Sequence, residues 1–189
     1  MRALLTLVFL LASCGGAPPG LRDPDEYTGC ATDENWRTFD DQEPLATVSD
    51  SQAPTFTAPA AGALIPPATQ LKLTWNQDPN DPGMPTGDVA YQNGPGCTMC
   101  CPEWNLGALT SAHLPAISGN VYDLWFLIGG NVVHRVITTL QEWAPPAALW
   151  TTWKGQTITI KIWRLDLLHN DVKTGPYAPS MPFTFSVGS

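Results

Sequence analysis

The sequence predicts an all-β protein, an antiparallel two-sheet β-sandwich. From Ala53 onward the hydrophobic period is two, not 3.6, in several short segments. Nineteen prolines and sixteen glycines punctuate the chain, which suits many turns and few long helices. No long segment carries a convincing helical stripe.

The elements follow in order. Residues 55–57 open the domain. Leu71, Leu73 and Trp75 alternate with Lys72 and Thr74 as a half-buried strand. Tyr122, Leu124, Phe126 and Ile128 alternate with Val121, Asp123, Trp125 and Leu127. Gly129-Gly130-Asn131 then turns the chain into a strand over 132–138, a hairpin signal. Residues 148–153 supply a further strand before Gly155. Ile158, Ile160 and Ile162 alternate with Thr157, Thr159, Lys161 and Trp163, and Phe183, Phe185 and Val187 close the domain. About seven strands result.

Ahead of the domain lies a different kind of sequence. Arg2 precedes a short apolar run over residues 3–12, and small residues then lead to Cys14. About ten apolar residues are half of what a bilayer span requires, so the run reads as a signal-peptide core. Leu11-Ala12-Ser13-Cys14 resembles the lipobox of bacterial lipoproteins. That resemblance implies that residues 1–13 are removed and that Cys14 is diacylated and becomes the N-terminus. Gly15, where an inner-membrane retention signal often places aspartate, implies the outer membrane by the same resemblance. Residues 14–51 read as a lipid-anchored acidic tether, part of which docks, with a helical turn over 33–39. Residues 52–189 read as the β-sandwich domain.

The order Leu-Thr-Trp at 73–75, Tyr-Asp-Leu-Trp-Phe at 122–126, Thr-Ile-Thr-Ile-Lys-Ile-Trp at 157–163 and the run 175–185 resembles a fibronectin type III or immunoglobulin-like domain over 52–188. Two departures stand out: isoleucine replaces the tyrosine of the sixth strand, and an insertion of about 76–120 separates the second and third strands. That insertion holds three cysteines.

Charge excludes one class of partner. The formal net charge is −8 and no basic cluster exists, so nucleic acid is not a partner. Nine of the seventeen acidic residues lie between Asp23 and Asp50, beside the anchor, where anionic headgroups repel them.

Four cysteines other than Cys14 remain: Cys30, Cys97, Cys100 and Cys101. Export puts them in an oxidising compartment, and an even count permits two disulfides of undetermined connectivity. The competing reading is a copper or zinc site on Cys97, Cys100 and Cys101, with Cys30 or His113 completing the set. Trp125 and Trp163 fall on the polar-alternating side of two strands that neighbour each other in the resembled fold. Paired there, their indoles form a platform for a protein or glycan ligand, unless Leu106, Leu109 and Leu114 of the insertion cover them.

Catalytic constellations are missing. The three histidines, His113, His134 and His169, accompany no G-x-S-x-G elbow or H-E-x-x-H helix. Residues 78–83 with Asp88 could offer oxygen ligands to calcium, but a proline takes the third ligand place of an EF-hand loop, so they read as an acidic turn. The sequence thus leads to a cofactor-free, non-catalytic binding or structural protein, lipid-anchored in the bacterial envelope.

Overall fold

The computed structural model describes residues 23–76 and 117–189. The order is β1 (Glu26–Thr28), α1 (Asp33–Gln42), a 3₁₀ turn (Glu43–Leu45), β2 (Thr47–Val48), β3 (Thr55–Ala58), β4 (Leu64–Ile65), β5 (Leu73–Asn76), β6 (Gly119–Ile128), β7 (Asn131–Thr138), β8 (Glu142–Trp143), α2 (Ala147–Thr152), β9 (Thr157–Leu168), β10 (Asp171–Ala178) and β11 (Phe183–Val187).

The strands make two sheets. The smaller has the order β3-β5-β8, and the larger runs β1-β7-β6-β9-β10-β2, with β11 on β9 and β4 on β11. The core lies between them. Leu73 and Trp75 from the small sheet meet Tyr122, Leu124, Phe126, Ile158, Ile160, Ile162 and Phe185 from the large one, all buried. These are the alternate residues of their strands, so a period of two delivers one apolar face.

The strand pairs joined by hairpins are antiparallel, but β1 on β7, β2 on β10 and β4 on β11 are parallel. The purely antiparallel expectation is corrected at these positions. Each parallel strand is two or three residues long and arrives from a remote segment, where no hairpin imposes direction.

Gly129 and Gly130 have φ of 56° and 87°, the left-handed pair that a two-residue hairpin needs. His169 and Asn170 do the same work between β9 and β10, with φ of 54° and 69°. Asn170 is further held by Ile117: its amide N–H donates to the Ile117 carbonyl at 2.9 Å, and its side-chain oxygen accepts the Ile117 N–H at 2.7 Å.

The strand expected over 148–153 is the helix α2 instead. Pro146 precedes its first turn with φ −54°, a pre-set helix start. Trp150 and Trp153, three apart, both turn inward, which is helical spacing. Trp150 Nε1 donates to the Pro67 carbonyl at 3.0 Å.

Much of the acidic segment joins the fold. Residues 26–48, placed by the sequence in the 14–51 tether, contribute β1, α1, the 3₁₀ turn and β2 to or against the large sheet. The helix starts at a capping box in which Thr32 and Asn35 bond reciprocally.

Candidate functional site

Trp125 and Trp163 lie on the outer face of the large sheet. β6 and β9 pair Asp123 with Trp163 and Trp125 with Lys161, so the two indoles are diagonal neighbours on one face. Their ring centroids are 5.1 Å apart at 55°.

They are not a bare platform. Val121, Ile137, Leu165 and Leu167 make this outer face a second apolar surface, and Phe39 of α1 closes it with Tyr27, Trp36 and Ala46 packed around. Trp163 is left 9% exposed and Trp125 half-buried. The cover therefore includes the N-terminal arm. Leu106, Leu109 and Leu114, the expected cover, lie outside the described residues. So do Cys14, Cys97, Cys100, Cys101 and His113.

A buried ion pair sits under the arm. Arg135 Nη2 stands 2.6 Å from Asp123 Oδ2, and Arg135 Nε bridges both carboxylate oxygens at 3.1 and 3.2 Å. Trp125 Nε1 donates to the same Oδ2 at 3.1 Å, and the guanidinium carbon lies 5.0 Å over the Trp125 ring. Arg135 is fully buried and Asp123 nearly so. Burial pushes the Asp123 carboxyl up, while Arg135 and the Trp125 N–H pull it back. Burial outweighs these donors and the Asp40 charge adds to it, so the Asp123 carboxyl stays above its ordinary value.

Further acids approach from the arm. Glu43 is raised above its ordinary value, first by burial and next by the charge of Asp123, with Asp40 adding to the rise and Arg135 and Lys161 opposing it. Asp40 Oδ1 and Glu43 Oε2 are buried without a hydrogen-bond partner. As pH climbs past the ordinary carboxyl value of 4.5, the unfolded chain releases this proton before the folded one does. Stability is then lost from that value up to the raised one, and is level above it. Glu43→Gln is therefore expected to flatten this step and to stabilise the fold at neutral pH relative to pH 4. Denaturant midpoints of both proteins at the two pH values check it; a larger step in the variant would reverse the assignment.

At the β7 edge, His134 is held between Asp25 and Glu26, at 3.5 and 3.4 Å. Trp143 Nε1 also donates to Glu26 Oε2 at 3.2 Å. The Asp25 N–H donates to the Arg135 carbonyl, and the Arg135 N–H donates to Asp25 Oδ2, both at 2.9 Å. These contacts fasten the arm. Tyr27 adds to them: burial and its hydrogen bond to Asp33 raise its hydroxyl well above the usual phenol range.

Cys30 is disulfide-bonded, its partner lying outside the described residues, and its N–H donates to Thr139 Oγ1 at 2.9 Å. Asp166 and His169 do not combine. Asp166 pairs with Lys173 at 3.0 Å, while His169 occupies the β9–β10 turn. Among the described residues no group of three His, Cys, Asp or Glu side chains is arranged to hold a metal ion, and no helix is long and apolar enough to cross a membrane.

Among the described residues the outer face keeps an opening. Lys161, Ile162 and Trp163 line a shallow cleft of about 180 Å³ with Ala178, Pro179, Ser180 and Pro182. It exists because β11 pairs with β9 only as far as Ile160, and β10 resumes at Arg164. Sequence reasoning expected part of the acidic segment to dock through a helical turn over 33–39, but it did not find this break, the ion pair or the strands that the arm adds. The signals available were two prolines flanking Ser180 and Met181, and one charge in each strand of the Gly129-Gly130 hairpin.

No protein-family model matches the chain, and no curated protein matches it either.

Proposed function

We propose that this chain is a non-catalytic binding or structural protein of the bacterial envelope, lipid-anchored at Cys14 in the outer membrane, with one fibronectin type III or immunoglobulin-like domain. The strand order supports the domain reading. A sheet of β3-β5-β8 facing β7-β6-β9-β11 is the order that the resemblance implies for three strands against four.

The docked arm carries the functional reading. It fixes the chain to the domain at Glu26, twelve residues after Cys14, a length that spans at most about 40 Å. A domain leashed so closely works at the membrane surface. The ionisable side chains of the described residues also fit this role. Asp123 and Arg135 spend their charge on each other, and the His134 ring is held between Asp25 and Glu26. A protein or glycan remains the expected ligand, with the cleft beside Trp163 as its accessible surface.

The copper or zinc reading of Cys97, Cys100 and Cys101 is weaker, because a disulfide removes Cys30 from the ligand set. His113 remains the alternative fourth ligand. Intact mass without reductant, paired with elemental analysis, separates the two readings.

Cys14→Ala is expected to leave the precursor uncleaved and free of lipid when the protein is exported through its own pathway. Mass spectrometry of the membrane fraction reads this directly. Normal processing and acylation of the variant would remove the anchor from Cys14.

A further inference from the structure

Among the described residues, seven large apolar side chains are exposed, and three of them lie on or beside two segments bonded to each other. Leu45, Val48 and Met181 are 68%, 66% and 76% exposed. They come from two segments locked together. Val48 lies opposite Ala178 in the parallel pair of β2 and β10, and the Ser49 N–H donates to the Ala178 carbonyl at 3.0 Å. The Asp50 carboxylate accepts the Ser180 N–H at 2.7 Å and its hydroxyl at 2.8 Å. That clamp sits beside Met181, and Ala178 and Ser180 also line the cleft with Trp163 and Lys161.

Resting on the lipid-anchor reading above, we propose that this patch is the surface by which the domain lies on a zwitterionic phospholipid bilayer, the one that holds its own anchor. The chemistry is that of an interface: aliphatic side chains at the acyl boundary and the exposed Lys161 ammonium directed to phosphate. Asp50 and Glu43 nearby oppose an anionic surface, which selects zwitterionic lipid. Reach favours the same occupant. The leash enters at β1, and the patch lies at β2, five strand spacings away in the large sheet, about 24 Å. Twelve residues cover that span. Three apolar side chains alone bind a bilayer weakly, but an acyl anchor makes the contact intramolecular and raises its effective concentration.

The test uses the acylated protein and the acylated Leu45→Asp/Val48→Asp variant on phosphatidylcholine vesicles. Both substitutions are at exposed positions, so folding is unaffected. Intact mass establishes the lipid, flotation establishes anchoring, and peroxide oxidation of Met181 reads the patch. Met181 is expected to oxidise about five-fold more slowly in the parent than in the variant, with both proteins floating. Equal rates in two acylated, floating proteins would overturn the docking and leave the anchor standing. Protection that arises only when another envelope protein is added would overturn it too. A mass without lipid would remove the anchor and the docking together.

Discussion

Asp123→Ala is expected to destabilise the fold by about 3–5 kcal/mol, because it removes the carboxylate that two nitrogens of the buried Arg135 guanidinium bond. Arg135 is fully buried and stacked over Trp125. The pair itself is a poor source of stability, since desolvating both ions offsets most of their attraction. The large loss comes from breaking it on one side. The double variant Asp123→Leu/Arg135→Met, which removes both charges and keeps apolar volume, is therefore expected to recover most of the loss. Urea unfolding of the parent, both single variants and the double variant forms a cycle that isolates the coupling. If the double variant is as unstable as Asp123→Ala, loss of the carboxylate beside a buried guanidinium is not the reason for the loss. Trp125 offers a spectroscopic check, since its N–H bonds Asp123 and its emission should shift when that acceptor goes.

The same ion pair shows what a sequence of this kind reveals and what it withholds. Alternation exposed the inner faces of β5, β6, β9 and β11, because every second residue there is strongly apolar. It also set Trp125 and Trp163 on a common outer face. Alternation fails where both faces are buried. Val121, Leu165 and Leu167 interrupt the expected polar side, and that apolar outer face is the local mark of a cover. The cover itself hides in an acidic segment whose apolar residues, Tyr27, Trp36 and Phe39, are sparse. Composition then reads as tether, although Trp36 and Phe39 stand at helical spacing on α1.

β10 escaped for a different reason. Its turn uses His169 and Asn170 in the left-handed region, where glycine is the usual signal. Its first half pairs with β9 alone and leaves Asp171 to Thr174 exposed, so there is no alternation to read. The two-residue β8 is too short for any period, and the proline pair before α2 was the better guide to residues 147–152 than their apolar content. The cleft is a consequence of long-range register, where two strands share the edge of one. Only pairing reveals it.

Trp153→Ala is expected to cost about 3–5 kcal/mol, on the opposite face of the large sheet from the ion pair. Trp153 is fully buried and stacks on Phe126 at 5.3 Å and 30°, with Trp143, Trp150 and Phe185 each 6.2 Å away. Both sheets and α2 meet on this ring, so truncation opens a void that rigid aromatic neighbours cannot fill. Its indole N–H has no partner, and that detail sharpens the test. A buried donor without an acceptor contributes nothing favourable and carries its desolvation cost. Trp153→Phe deletes that donor, keeps an aromatic face against Phe126 and loses only part of the ring volume. Its cost is therefore expected to be less than half that of Trp153→Ala, as read from thermal or urea midpoints. Equal costs for the two variants would mean that the N–H is bonded in solution and that ring volume is not what this position supplies.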